Sequence, residues 1–104
     1  RTRRYVWLMA TGDTGEAVSI PGAADKTVQI TGTFNSSTVI FEGSCQASDA
    51  GIYATLTDPQ GNALSVTVAA LEAITEQTTW VRPRITGGTA TALTITLLAR
   101  STMR

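Results

Sequence analysis

The sequence predicts an all-β protein, namely one antiparallel β-sandwich of jelly-roll type with about eight strands. Threonine accounts for 19 of the 104 residues and lysine for only one, and β-branched side chains fit a pleated sheet better than a helix. Apolar and polar residues alternate with period two along most of the chain. Turn residues separate these short alternating segments at regular intervals, which is typical of sandwiches and barrels.

The alternating segments define the eight predicted strands in chain order. The first covers residues 4–10, and the second is a short strand around Val18 and Ile20. The other six cover residues 27–34, 38–43, 52–57, 63–68, 78–85 and 92–98. A chain of this length usually forms one domain, so we assign residues 1–104 to a single sandwich with basic termini.

Three local patterns refine this prediction. Asp58-Pro59-Gln60-Gly61 has the residues of a type I turn, which predicts a hairpin whose second strand points its apolar residues, up to Val68, inward. Residues 69–76 form the only helix-compatible stretch, with room for one or two turns. Pro83 cannot donate a hydrogen bond to a strand ladder, so we expect it at a sheet edge or a bulge.

The alternation also predicts which side chains form the core. On each strand one set of apolar residues shares a face, and these faces should pack between the two sheets. The predicted core residues are Val28, Ile30, Phe34, Val39, Phe41, Leu56, Leu64, Val66, Leu93, Ile95 and Leu97.

The first strand differs from the others because both of its faces are apolar. An antiparallel sheet usually keeps one face in water, so one face should enter the core and the other should pack against a second subunit. We expect Tyr5, Trp7 and Met9 to form that interface and the chain to be a homo-oligomer, because Trp and Tyr are enriched at interface hot spots. The alternative is that loops of the same chain cover this face.

Charge is unevenly distributed, although the net charge is zero. Between the termini, three basic residues face eight acidic ones, a net charge of about −5. This balance argues against nucleic-acid binding by the body of the protein. We expect the basic termini to dock onto acidic residues of a partner protein, although charged, solvated termini are an equally simple interpretation. The terminal basic residues are Arg1, Arg3, Arg4, Arg100 and Arg104.

The sequence lacks the residue types of common active sites. It has no His, the commonest general base, and Cys45 has neither a His to activate it nor a second Cys for a disulfide. Glu72 and Glu76 would share one helical face, but a short sandwich offers no cleft for a two-carboxylate glycosidase. We therefore predict no enzymatic activity, no cofactor and no metal, with a structural Ca²⁺ bound by acidic residues between positions 13 and 25 as a weaker alternative.

Trp80, Arg82 and Arg84 alternate onto one face of the strand that contains Pro83. An aromatic ring beside two guanidinium groups is suited to stacking on a sugar or to binding an acidic partner. The same residues would also protect a sheet edge against aggregation, so this face is a possible ligand or partner surface.

Residues 32–98 resemble small structural proteins of tailed bacteriophages. The resemblance is carried, in order, by Gly32-Thr33-Phe34, Val39-Ile40-Phe41-Glu42-Gly43-Ser44, Leu56-Thr57-Asp58-Pro59-Gln60-Gly61-Asn62, Ile74-Thr75-Glu76, Trp80-Val81-Arg82-Pro83, Ile85-Thr86-Gly87-Gly88 and the Thr-rich last strand. The order of these segments is also similar to that in discoidin-like carbohydrate-binding sandwiches.

The resemblance implies a virion structural protein, most concretely a capsid decoration (cement) protein. Such a protein would be made in the host cytoplasm, bind the major capsid protein or another virion protein on the capsid surface, and bridge neighbouring subunits. Decoration proteins often lie on local threefold axes, which favours a trimer. The alternatives are a neck, tail or fibre-attachment component and, in another class, a carbohydrate-binding module. No apolar run is long enough for a transmembrane helix, so we expect no membrane partner.

Overall fold

The computed structural model describes residues 2–20, 23–48, 51–76, 78–89 and 91–101. These residues form nine β-strands, and no helix that could cross a membrane occurs among them. The strands are β1 (Thr2–Ala10), β2 (Val18–Ser19), β3 (Ala23–Thr33), β4 (Ser37–Ser44), β5 (Ala54–Thr55), β6 (Ser65–Val66), β7 (Ala70–Ile74), β8 (Trp80–Gly87) and β9 (Ala92–Ser101). The all-β prediction is confirmed.

The strands pair into two antiparallel sheets, which we call sheet A and sheet B. Sheet A has the order β1-β9-β3-β7. Sheet B has the order β2-β8-β4, and both β5 and β6 pair with β4 at different positions along it. Except for β5 and β6, successive strands alternate between the two sheets, which is the strand order of a jelly roll. The predicted sandwich is therefore confirmed, with nine strands in place of about eight.

The core lies between the sheets and matches the period-two prediction closely. Nine of the eleven predicted core residues are buried, while Phe34 and Val66 are half-buried and pack against the others. The inward row of β8 completes the core together with the aromatic face of β1. The residues in this addition are Trp7, Met9, Val81, Pro83 and Ile85.

The helix-compatible stretch 69–76 is a strand, which corrects the sequence-based interpretation. Its residues Ala70–Ile74 form β7 and pair with Lys26–Ile30 of β3. Ile74 is buried while Leu71, three residues earlier, is 66% exposed, as expected for an odd spacing in a strand. The backbone pairing with β3 outweighs the weak helical preference of five residues, and it supplies the ninth strand.

The turn at Asp58 forms as predicted. The Gly61 N–H donates to the Asp58 C=O at 2.9 Å, and the Asp58 carboxylate accepts hydrogen bonds from the amides of Gln60 and Asn62 at 3.0 and 2.9 Å. Both arms of the hairpin pair with β4, and each arm does so through a strand of only two residues, β5 or β6. Val68 lies beyond this pairing and is 67% exposed, so the prediction that it faces inward is wrong.

Pro83 lies inside β8, between β4 and the segment before β2, rather than at a sheet edge. Its partner on β4 is Phe41, whose N–H and C=O bond to Leu64 and Leu56 on the side away from β8. Phe41 and Pro83 are therefore a non-hydrogen-bonded pair, and the missing N–H costs no bond to β4. On its other side, the Pro83 C=O accepts a hydrogen bond from the Gly15 N–H at 2.8 Å.

Candidate functional site

The two faces of β1, the strand at one edge of sheet A, have opposite environments. Trp7 and Met9 are 9% and 6% exposed, and Tyr5 packs half-buried against the same core. Val6 and Leu8 point outward and are 54% and 80% exposed. The interface predicted for Tyr5, Trp7 and Met9 is therefore corrected, because these residues fill the core of their own chain. The uncovered apolar face of β1 is the one that carries Val6 and Leu8.

The indole of Trp7 explains how the aromatic face can be buried. Its N–H donates to the C=O of Glu16 at 2.9 Å, so the one polar group of the ring has a partner. A buried Trp usually needs such a partner. Glu16 belongs to the loop between β1 and β2, which sequence periodicity does not place relative to the core.

The uncovered face of β1 continues across sheet A into a broader apolar surface. Leu98 of β9 is 44% exposed and Leu71 of β7 is 66% exposed. Threonines and one glutamine of β9 and β3 lie between them, and the twisted sheet forms a shallow groove there. Four large apolar side chains are thus exposed on one face of one sheet, which makes this face a candidate interaction site. We call it the outer A face, formed by Arg4, Val6, Leu8, Thr27, Gln29, Leu71, Thr94, Thr96 and Leu98.

A cluster of basic residues lies at the end of sheet A where β1 begins and β9 ends. Antiparallel pairing puts Arg3 beside Ala99 and Arg4 beside Leu98, so that both arginines lie close to Arg100. The strand pairing thus brings three of the five residues proposed for docking to one end of the sheet, with Arg4 and Arg100 on its outer face and Arg3 on the other. Arg1 and Arg104, the other two, lie outside the described residues.

Within this basic end, Arg100 already has an acidic partner. Its Nη2 atom lies 2.5 Å from Oδ2 of Asp25, and both side chains are more than half exposed. Exposed ion pairs contribute about 0–1 kcal/mol and are screened by salt. The pair therefore leaves the basic end free to exchange Asp25 for an acidic partner at little cost.

The other end of β1 is acidic. Asp13 is exposed in the loop after the strand, and its carboxylate accepts a hydrogen bond from the Ala10 N–H at 2.8 Å, whereas Glu16 lies farther along the loop, where its C=O meets the Trp7 indole. Asp25 lies at the basic end, roughly 25 Å from the Ala10 end of this nine-residue strand, where Asp13 lies. The carboxylates considered for Ca²⁺ therefore do not converge, and within the described ranges no three potential metal ligands form a group.

The outer face of sheet B carries Trp80, Arg82 and Arg84 together, as the alternation along β8 predicts. The Nε atoms of the two arginines donate to the two carboxylate oxygens of Glu42 on β4, at 3.0 and 2.9 Å. Glu42 is only 7% exposed. The sequence reasoning missed its role because the register between β4 and β8 is not visible in a single sequence.

Aromatic side chains flank this ion network. The Arg82 guanidinium carbon lies 3.8 Å from the centre of the Tyr53 ring, a cation–π contact. The Trp80 indole N–H donates to the C=O of Gln46 at 3.2 Å. The arginines and the indole thus have partners within the chain, so this face resembles a stabilising network more than an empty ligand site.

Lys26 is a buried cation at one end of the core. Its side chain is 2% exposed, and its Nζ donates to the C=O of Ala23 at 3.0 Å. Burial lowers the pKa of Lys26, and the negative charges of Asp25 and Glu76 offset this effect only in part.

Glu76 lies near Lys26 and is held by the chain that precedes the Asp58 turn. Its carboxylate accepts hydrogen bonds from the Thr57 N–H, at 2.8 Å, and from the Thr57 hydroxyl. Burial alone would raise the pKa of Glu76, but these hydrogen bonds and the charge of Lys26 outweigh it and hold the pKa below its ordinary value. Glu72 lies on β7 opposite Val28, so the two glutamates do not share a helical face as considered from the sequence.

Comparisons with known proteins show the fold of this chain but no family. No family model matches it, and no curated protein sequence matches it. It is similar to the crystal structure of the SPBc2 prophage-derived protein YomS, with a TM-score of 0.71 and 14% identity over 96% of both chains. A Bacillus endospore appendage protein from disulfide-linked pili gives a TM-score of 0.40 and 12% identity, over 98% of this chain and 88% of that one. At this identity, the likeness to YomS shows a shared fold alone.

Proposed function

We propose that this chain is a structural protein of a bacteriophage particle, most concretely a decoration protein on the outside of the capsid. The observation that carries the proposal is the fold shared with a prophage-derived protein over 96% of both chains. The outer A face supports it, because four large apolar side chains exposed on one sheet face suit protein binding.

In this role the protein binds and does not catalyse. The outer A face packs on capsid subunits, and the basic end formed by Arg3, Arg4 and Arg100 meets acidic residues of the shell. A protein that binds the assembled shell, and not its separated subunits, stabilises the shell by mass action. Neck, tail and fibre-attachment positions would use the same surfaces, and labelling particles with an antibody distinguishes them by location.

A binding assay on capsids that lack this protein tests the proposal. Purified chain is added to capsids from a phage in which its gene is deleted, and bound chain is measured by sedimentation. We expect saturable binding at a fixed ratio to the capsid subunit and a higher temperature of shell disruption. A Leu71→Lys/Leu98→Lys variant should lose binding, because it places charge in the outer A face, while Trp80→Ala on sheet B should keep it. Wild-type chain that stays in the supernatant contradicts the decoration role.

The second candidate function is carbohydrate binding by the outer face of sheet B. Trp80 and Tyr53 place two aromatic rings beside Arg82 and Arg84, a combination that stacks on sugars. Titration calorimetry and a glycan array test it. Glycan binding that Trp80→Ala removes would favour this candidate, and the absence of binding to any glycan would eliminate it.

A further inference from the structure

The outer edge of β1 is open. Ala10 uses its N–H and its C=O to bond Asp13, on the side away from β9. Residues of an antiparallel ladder alternate in the direction of these groups, so Arg4, Val6 and Leu8 also direct their N–H and C=O away from β9. None of these groups has a hydrogen bond to another described residue.

The ladder across the rest of sheet A gives the same assignment independently. The Thr75 N–H, directly after β7, bonds to the C=O of Thr57 outside the sheet. Because Thr75 directs its N–H away from β3, the next residue, Ile74, bonds to Lys26 of β3. The same alternation makes Thr27 of β3 bond to Leu98 of β9, and Leu97 of β9 bond to Tyr5 of β1. Trp7 and Met9 then also bond to β9. The neighbouring residues of β1 then face the open edge.

From Tyr5 to Ala10, this edge lacks the features that protect strand edges from pairing. Natural sheets shorten their edge strands, bulge them, or place Pro and charged residues on them. β1 has nine residues, contains no Pro, and pairs with β9 without a register shift. Its outward side chains at the centre are apolar, Val6 and Leu8. The other edge strands are shorter: β7 has five residues, and β2, β5 and β6 have two each.

We propose that β1 pairs antiparallel with β1 of a second copy of this chain, so that the two A sheets join into one continuous sheet. A two-fold axis near Val6 places each Val6 opposite that of the other copy and each Arg4 opposite Leu8. About six backbone hydrogen bonds form across the junction. The two Val6 and two Leu8 side chains then pack together on one face, beside the aliphatic parts of Arg4.

Charge complementarity identifies the occupant of the edge as a second copy. The start of β1 is basic through Arg3, Arg4 and the neighbouring Arg100, and its end is acidic through the exposed Asp13, whose carboxylate bonds to the Ala10 N–H. Antiparallel pairing about a two-fold axis brings each basic end to the acidic end of the other copy. Parallel pairing would bring like charges together. The two-fold contact also uses both open edges and therefore closes at two copies.

The dimer goes beyond the proposed function and does not depend on it. It leaves Leu71 and Leu98 of the outer A face free for the capsid. It also replaces the trimer, which was expected from the resemblance to decoration proteins and from an interface at Tyr5, Trp7 and Met9, residues that the structure buries or half-buries in the core.

Light scattering on the full chain, coupled to size-exclusion chromatography, tests the pairing with two substitutions at one position. Val6→Pro removes an N–H that faces the open edge, so no bond within the chain is lost. Val6→Thr keeps the N–H and the β-branched shape. We expect wild-type protein and Val6→Thr at twice the chain mass of 10.9 kDa, and Val6→Pro at the chain mass itself. A monomeric or trimeric wild type, or a Val6→Pro dimer, would overturn the proposal.

Amide hydrogen exchange on the wild-type protein tests the same contact without a substitution. In the dimer the amides of Arg4, Val6 and Leu8 are hydrogen-bonded across the junction, so their exchange should be slow and should accelerate on dilution. Fast exchange at these three amides, in a protein that is nevertheless dimeric, would show that the copies meet through another surface and would contradict edge pairing. Capsid binding distinguishes failure of the dimer from failure of the decoration role. If the wild type is monomeric but binds capsids, and Leu71→Lys/Leu98→Lys loses that binding while Val6→Pro keeps it, the dimer fails and the decoration role stands.

Discussion

Glu76 accepts two hydrogen bonds from Thr57, and the ammonium group of Lys26 lies near enough to favour its negative charge. These contacts hold the pKa of Glu76 below its ordinary value. A carboxyl group whose pKa is lower in the folded state stabilises the protein above its unfolded pKa of 4.5. That contribution is lost as the pH falls through the folded pKa.

Glu76→Gln should therefore lower the free energy of unfolding by about 1 kcal/mol at pH 7. The amide oxygen of Gln still accepts a hydrogen bond from Thr57 but carries no charge. Urea denaturation of both proteins between pH 7 and pH 2 measures the difference, which should shrink in acid as Glu76 becomes protonated. A difference that stays constant down to pH 2 would contradict the role of the charge.

Lys26 should make the free energy of unfolding depend on pH at the alkaline end of the range. Burial lowers its pKa in the folded state, so between that pKa and 10.5 the unfolded chain holds more protons, and stability rises with pH. Lys26→Met removes this titration. The free energy of unfolding of the wild type, relative to that of Lys26→Met, should increase from pH 7 toward pH 10.5. Parallel curves for the two proteins would show that Lys26 keeps its ordinary pKa when folded.

At residue level, the sequence predicted the alternation of β1 but not which face is inside. Both faces are apolar, so the period alone does not distinguish them. The buried face is the one whose indole finds a partner, the backbone C=O of Glu16, in a loop that the period does not place. Glu42 was missed for a related reason, since its position between Arg82 and Arg84 depends on strand register.

At the scale of elements, β4 is the central strand of sheet B. It pairs with β8 along its whole length and with both short strands of the hairpin. Phe41, at its centre, is fully buried and exchanges hydrogen bonds with Leu56 and Leu64. The packing of the hairpin therefore depends on this residue.

Phe41→Ala should destabilise the fold by about 3–5 kcal/mol, because it leaves a cavity between the sheets. Ile40→Ala, one residue earlier on the half-buried outer face, is the matched control and should cost much less. Thermal denaturation followed by circular dichroism measures both variants. If Phe41→Ala leaves the melting temperature unchanged, the assignment of inward and outward residues on β4 is wrong.

Strands in which apolar and polar residues alternate could be predicted from periodicity, including the segments that contain the short strands β2, β5 and β6, whereas β7 could not. The segments that contain β3, β8 and β9 alternate apolar and polar residues for long enough to favour a strand over a helix. β7 has five residues, and the spacing of Leu71 and Ile74 fits a helical turn equally well. Only its pairing with β3, a contact between distant parts of the chain, resolves the ambiguity.

For the whole molecule, the basic end of sheet A should contribute to particle binding. Replacing Arg1, Arg3, Arg4, Arg100 and Arg104 with Gln should weaken binding to capsids and reduce its dependence on salt, because each exposed pair adds a small, screened term. Thermal denaturation of the five-Gln variant, compared with that of the wild type, is the control that the variant remains folded. Equal binding by the five-Gln variant and the wild type would show that the basic end does not dock.

The composition of the whole chain predicted the fold class well, and it predicted function less closely. A Thr-rich chain with alternating apolar residues indicates a β-sandwich, but many unrelated proteins share that fold. The surfaces proposed to bind partners consist of residues that only the topology brings together. The outer A face combines β1, β9, β3 and β7, whose residues are far apart in sequence.

The amount of this protein in purified particles of the phage that encodes it tests the central claim most directly. Particles are banded repeatedly on density gradients, and the chain is quantified by mass spectrometry relative to the major capsid protein. A virion structural protein should follow the particles through every gradient at a constant ratio of many copies per particle. A chain that is abundant in the infected-cell lysate but absent from particles of constant composition would contradict the account.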